Sequence, residues 1–205
     1  MFSINYREMS YVTRWGVLRR ARSQNVAEHQ YYVAVYAGLI ADTIGYEGDR
    51  GNLYRCALIH DLFEGRSGDL PGPFKRQLCV GDAYHKLEVE YFKALFPHEL
   101  PYLDMLRQDQ GIAAIVKAAD KMEGCMYLAN EHMLGNTYAG DFIDRGSPSQ
   151  DMYLVYKDSL DALRPYFSAT LETHRVEEIL ASSLLLPIFS AYKRRPDILN
   201  GADFI

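Results

Sequence analysis

His60 and Asp61 stand side by side at the end of an apolar run, Leu58-Ile59. Glu64 follows three residues after the aspartate and four after the histidine. On a helix those spacings put the three side chains on neighbouring parts of one face. His29 and Asp120 lie in two other largely apolar contexts, AEHQYYVAV and IVKAADKME. Two imidazoles and two carboxylates on three helices can converge between them, as metal sites in helix bundles do. Mixed nitrogen and oxygen donors suit zinc, cobalt, manganese or iron and do not choose among them. A divalent ion so held lowers the pKa of a bound water and neutralises charge on a phosphoryl oxygen. Glu64 is then a candidate base beside that water without being a required ligand. Each residue alone has a plainer reading. A buried histidine is more often a hydrogen-bonded core residue than a ligand, and Glu64 can be a solvated carboxylate at a helix end. Only the set points to chemistry.

The elements that must position this set read as helices. From Val26 to Ile44 the apolar residues Val26, Val33, Tyr36, Ala37, Ile40 and Ile44 recur at helical steps. Asn25 before the run and Glu28 three residues later predict a capping-box-like start. A second helix is expected from about 52 through Glu64, closed by Gly65. The segment 67–73, SGDLPGP, is a loop by its Gly and Pro content. Asp82 can cap a helix through Phe96, and Pro97 suits the first turn of a short helix after it. Ile112 to Met133 reads as a long helix carrying Ile115, Val116, Ala119, Met122, Met126 and Leu128. A polar loop is expected over 135–149, helices over about 150–166 and 170–193 with a kink near Pro187, and a tail over 196–205. No alternating strand, repeat or linker stands out. The expectation is an all-α single domain over 1–205, a bundle of about seven helices with its core in 14–193.

Composition bounds the partners. The 205 residues carry 22 Lys+Arg against 27 Asp+Glu, a net charge of −5. That balance argues against a bulk grip on a nucleic acid polymer or an acidic membrane. Three widely spaced cysteines, Cys56, Cys79 and Cys125, form neither a disulfide framework nor a zinc ribbon. The N-terminal stretch has no apolar segment of the signal-peptide kind, and the longest largely apolar run, 31–41, is too short to cross a bilayer. A cytoplasmic protein is expected. Against the acidic background, Arg14, Arg19, Arg20 and Arg22 fall in one stretch without an acid. With Arg66, Lys75, Arg76, Lys117 and Lys121 they can focus positive potential on a phosphate.

The ordered set of motifs resembles a known family. His29, His60-Asp61 and Asp120 form the H…HD…D pattern of HD-domain phosphohydrolases. The flanks narrow it: Arg14-Trp15, Asn25-Val-Ala-Glu-His29, His60-Asp-x-x-Glu64, Gly68-Asp-Leu-Pro-x-Pro-x-Lys75 and Lys117-Ala-Ala-Asp120. Together these are similar to the short bacterial 5′-deoxynucleotidases and the related phage dATP triphosphohydrolases, over residues 14 to about 130. The resemblance implies His29, His60, Asp61 and Asp120 as ligands of a divalent metal (cobalt, zinc or manganese) and Glu64 as catalytic acid or base. It implies Asp69 as a loop carboxylate beside the substrate, where a turn-stabilising role is the plainer alternative. It implies Arg14 and Trp15 against the nucleotide, although Trp15 also reads as a core anchor, and Lys75 and Lys117 near the phosphates. Arg19 and Arg66 join the substrate-binding set by their charge. Two departures stand in the loop: Ser67 and Gly72 where the family pattern has threonines, and Gly65-Arg66 where it has apolar residues. They bear on the leaving group and the base, not on the reaction class.

The expected activity is hydrolysis of the 5′-phosphate ester of a 2′-deoxynucleotide. The basic set tilts toward a dATP triphosphohydrolase, with a deoxynucleoside monophosphatase as the alternative. A nucleotide-binding regulatory module is a further alternative, and other HD hydrolases of cyclic or hyperphosphorylated nucleotides fit the flanks less well. The aromatic content of 13% and the relatives' habits imply a homo-oligomer.

Overall fold

In the computed structural model, which describes residues 4–70, 83–139 and 158–168, Asn25 opens the first long helix by accepting the Glu28 amide at 2.9 Å. That satisfies one of the unpaired amides at a helix start. The helix, α1, runs over Val26–Thr43. Only half of the expected capping box forms: the Glu28 carboxylate turns outward to Arg22 instead of back to the Asn25 amide.

Asp49 caps α2, Arg50–Ile59, by accepting the Asn52 amide at 2.8 Å. The expected helix over 52–64 is therefore displaced and broken. It ends at Ile59, and Glu64 opens a separate short helix, α3, Glu64–Ser67. The His60 ring donates from Nδ1 to the Ala57 carbonyl at 2.7 Å, the acceptor that an unbroken helix would give to the Asp61 amide. From there the backbone tightens: the Leu62 and Glu64 amides each reach back three residues, to Ile59 and Asp61, at 2.9 Å. This is the pattern of a 3₁₀ turn. Gly65 lies inside α3 and does not close it. Gly68 does, at φ 72°, a conformation that costs glycine little.

Three more helices follow: α4, Ala83–Leu95; α5, Leu100–Gln108; and α6, Gln110–Met133. Helix α4 stops one residue short of the predicted end; its expected cap Asp82 lies outside the described residues. Pro101 sits in the first turn of α5, so Pro97 falls in the preceding turn. Asp109 caps α6 by accepting two amides, from Gly111 and Ile112, at 3.0 Å each. A short 3₁₀ helix at Ile4–Ser10 was not read from the sequence; of the helix expected over about 150–166, the described part is helical at 158–161 and ends in a 3₁₀ turn, Arg164–Tyr166. Part of the expected loop over 135–149 is ordered as a helical turn at 137–139. The expected helix at 170–193 and tail at 196–205 lie outside the described residues.

Among the described residues the architecture is all-α, with one isolated antiparallel bridge, Thr13 to Asn25. Helix α1 is the hub, packed against α2 and α6. Val33, Ala37, Leu53, Ile115 and Leu128 fill the main core between them. Burial of each large apolar side chain contributes about 1.5–3 kcal/mol. Gly38 lets the Tyr54 ring of α2 lie close against α1: a Cβ at that position would meet the Tyr54 hydroxyl at 2.5 Å, and the partly exposed ring would have to shift. A second core gathers Met9, Val26, Leu62, Phe63, Phe92 and Phe96 beneath the turn after α2. Buried Glu99 ties this side together, accepting from Tyr6 at 2.5 Å and from Arg55 at 2.7 Å. The two cores leave the break at His60-Asp61 flanked by α1 and α6.

Candidate metal centre

His29, in the first turn of α1, is completely buried. Its Nε2 lies 3.4 Å from Asp61 Oδ2, in the turn after α2, and 3.4 Å from Asp120 Oδ1, in the middle of α6. His60 Nε2 lies 3.3 Å from the same Asp61 oxygen. The donor atoms of His29, His60 and Asp120 all fall within 4.8 Å of one another. The break in α2 makes this possible, because it frees His60 and Asp61 from a regular helix and lets both approach α1.

The donor set fits a divalent cation. His29 Nε2 and His60 Nε2 are both buried without a hydrogen-bond partner, although polar atoms at that depth are ordinarily paired. Both rings have their Nδ1 engaged elsewhere, His60 by the Ala57 carbonyl and His29 by Glu123 at 2.6 Å. That leaves each Nε2 lone pair directed at the carboxylates. Two neutral imidazoles and two carboxylates are a familiar set for zinc, cobalt or manganese.

Without a cation, the carboxylates impose their charge on the histidine. Burial and the Arg14 charge push His29 down, but Asp120, Asp61 and Glu123 outweigh them and carry it up to about 10. Asp120 is pushed up by burial, yet Lys121 at 2.6 Å and His29 hold it well below the ordinary carboxylate range. A proton thus occupies the place of a cation below about pH 10. A metal taken up through His29 Nε2 must displace it. Metal loading of the stripped protein at pH 7.5 should therefore release about one proton per ion, and affinity should rise about tenfold per pH unit toward pH 10. An indicator dye in weak buffer reads the release; uptake without release would mean that His29 is already neutral.

The other expected residues are placed as follows. Glu64 is buried at the head of α3, with its amide on the Asp61 carbonyl, one turn beyond the cluster. Asp69 accepts the Trp15 amide at 2.8 Å, so at least part of its role is to hold that turn. Trp15 needs holding: at φ 57° it has the one left-handed backbone among the described non-glycine residues. Such strain tends to collect at functional sites. Its ring stacks on Tyr127 at 5.8 Å, and its indole Nε1 is buried without a hydrogen-bond partner. Arg14 is buried, 2.9 Å from Glu123 and against the Nδ1 edge of His29. The structure therefore places it behind the histidine rather than among the four clustered donors. Arg19, Arg66 and Lys117 are exposed, and Lys117 stands one turn before Asp120 on α6. Lys75 lies outside the described residues.

Two carboxylates escaped the sequence reading. Glu123, one turn after Asp120, is buried and accepts from His29, Arg14 and Gln24. Glu131 accepts the Ala21 and Arg22 amides at 2.6 and 2.7 Å, pinning the arginine-rich loop to the end of α6. Their spacing on the helix face of Asp120, at +3 for Glu123 and +11 for Glu131, was the one available signal.

A family profile described as 5′-deoxynucleotidase YfbR-like matches residues 1–145. A 5′-deoxynucleotidase of Erwinia tasmaniensis is 33% identical over 141 residues, covering 62% of this chain and 70% of that protein. The 5′-deoxynucleotidase YfbR of Salmonella newport is 32% identical over 140 residues, covering 62% and 69%. Among solved structures, the cyanophage S-2L HD phosphohydrolase DatZ, bound to dA and one catalytic Zn²⁺ ion, is similar with a TM-score of 0.63. The two are 19% identical, over 93% of this chain and 98% of that one. An HD-domain phosphohydrolase from Listeria innocua gives 0.57 at 20% identity, over 96% and 93%. These structural likenesses establish the helical HD-domain fold.

Proposed function

The chain belongs to the YfbR-like family of 5′-deoxynucleotidases, and we propose that it hydrolyses the 5′-phosphate ester of 2′-deoxynucleotides with a divalent metal. The observation that carries this reading is the convergence of His29, His60, Asp61 and Asp120, with two buried imidazole Nε2 atoms that lack hydrogen-bond partners. These four residues would hold the ion, which supplies a Lewis acid for a phosphoryl oxygen and a nucleophile from water near neutral pH. In the reaction the oxygen of water joins phosphorus, the P–O5′ bond breaks, and O5′ leaves as the deoxynucleoside hydroxyl with a proton. Glu64 is the group to move that proton: a carboxylate buried at the head of α3, one turn from the ligands, with no place needed for it in a four-donor set. Asp69 holds the Trp15 turn through its amide, and the Trp15 ring offers a flat apolar face for a base. Arg19, Arg66 and Lys117 supply exposed positive charge for phosphate oxygens, and Lys75 joins them from its place in the sequence.

The family match supports a deoxynucleoside monophosphate as substrate. A second reading, a deoxynucleoside triphosphate such as dATP, is favoured by the density of positive side chains. Chromatography of the products separates them. Deoxyadenosine plus triphosphate from dATP would establish the second, and turnover of dAMP alone would establish the first. A single domain acting as a homo-oligomer is part of the proposal, supported by the exposed apolar residues Tyr31, Val35 and Leu39 of α1 beside Tyr54 and Leu58 of α2. A monomer in light scattering at micromolar concentration would contradict it. Among the described residues, no helix is long and apolar enough to cross a membrane.

A further inference from the structure

We propose that Glu123 is the positioning residue of the metal centre: its carboxylate fixes His29 with the proton on Nδ1, so that Nε2 is always the atom presented to the ion. The inference rests on the metal reading of the cluster. Glu123 is 3% exposed and stands one turn after Asp120 on α6. Its Oε2 lies 2.6 Å from His29 Nδ1. A lone pair on Nδ1 facing a carboxylate at that distance would be repelled, whereas a proton there makes a charge-assisted hydrogen bond. The other ring atom, Nε2, has no hydrogen-bond partner and faces Asp61 and Asp120.

Two further donors keep Glu123 in place. Arg14 Nη1 donates to Oε2 at 2.9 Å, and Gln24 Nε2 donates to Oε1 at 2.6 Å. Arg14 also lies directly against His29 Nδ1. With the proton on Nδ1 both are donors and cannot satisfy one another. They sit side by side because a single carboxylate oxygen accepts from each. Arg14 and Gln24 flank the loop that the Thr13–Asn25 bridge closes, and the Arg14 amide bonds the Gln24 carbonyl at 2.9 Å. The loop that carries Trp15 is thus tied to the support of a metal ligand. His60 achieves the same tautomer by another route, through the Ala57 carbonyl of its own helix. The backbone holds one imidazole, and the other depends on this one side chain.

The test uses the full chain. Long-range ¹H–¹⁵N spectra of the imidazoles in the Zn²⁺-loaded protein should place the His29 proton on Nδ1 and the metal on Nε2. Chelator competition at fixed pH should find Zn²⁺ bound about 10–100-fold more weakly by Glu123→Gln. Metal bound through His29 Nδ1 in the parent would overturn the proposal whether or not the variant folds. So would a folded Glu123→Gln that binds Zn²⁺ within about twofold of the parent. A parent that takes up no Zn²⁺ overturns the metal reading as well. Both readouts are made without nucleotide, so they stand apart from the identity of the substrate.

Discussion

Asp120→Ala should lose its divalent ion and, with it, turnover. Asp120 is the one donor of the cluster contributed by α6, and the structure sets its Oδ1 3.4 Å from His29 Nε2. Removing it takes away a negative charge as well as a ligand atom, and leaves two histidines and Asp61 to hold a dication. Loss of groups that merely orient a ligand costs about 10–100-fold in metal affinity or activity, so loss of a charged ligand should exceed about 10²-fold. The fold should survive, because the buried contacts of α6 with α1 and α2 are made by Ile115, Val116, Ala119 and Leu128. The variant does strand Lys121, which lies 2.6 Å from Asp120. Asp120→Asn, which keeps the shape and drops the charge, is the companion variant. Metal content by elemental analysis, with circular dichroism as the control for folding, reads the outcome. Wild-type metal content in a folded Asp120→Ala would remove the residue from the centre.

The second large effect is expected at Glu64. Its carboxylate is buried, as carboxylates rarely are without purpose, and it starts a helix that begins only because α2 ends at the cluster. In the proposed centre four other residues supply the donors for an ion, which leaves Glu64 for the proton. A well-placed general acid or base contributes about 10²–10⁴-fold. Glu64→Ala should therefore keep metal and nucleotide binding while kcat falls by about that factor, with KM little changed. If the variant releases its metal, Glu64 is a ligand. Near-normal kcat would leave Glu64 a structural carboxylate and make Asp69 the better candidate, although Asp69 is already engaged with the Trp15 amide.

The long helices were legible because their signals are local. The apolar period of α1 and α6 predicts both, and Asn25 caps where its type says it should. The break at His60 was not legible. Nothing in the spacing of His60, Asp61 and Glu64 reveals that the His60 ring will take the Ala57 carbonyl from its own helix. The periodicity therefore pointed to one continuous helix where the structure has two and a tight turn. His60 and Asp61 still meet, with Nε2 3.3 Å from Oδ2, and Glu64 follows one 3₁₀ turn after Asp61. Glu123 was hidden for a different reason. In the run Lys-Met-Glu it looks like a solvated position, and it becomes buried only when the loop over 11–25 folds back across α6 with Arg14 and Gln24. The burial of Arg14, expected against the nucleotide, comes from the same long-range contact, which draws it in behind His29. The left-handed backbone at Trp15 likewise has no local cause in an Arg-Trp-Gly sequence. It depends on the distant carboxylate of Asp69.

If the His29, His60, Asp61 and Asp120 cluster holds the metal of a deoxynucleotide phosphohydrolase, turnover must follow the metal. The most direct measurement strips the protein with a chelator and returns Co²⁺, Mn²⁺ or Zn²⁺ in increments. Deoxyadenosine release from dAMP and from dATP is followed at each step. Release from at least one nucleotide should be absent in the stripped protein, rise with added metal, and level off once the site of each chain is filled. No release from either nucleotide at full metal occupancy, or a rate that ignores the metal altogether, would mean that the cluster is not the centre of a metal-dependent phosphohydrolase.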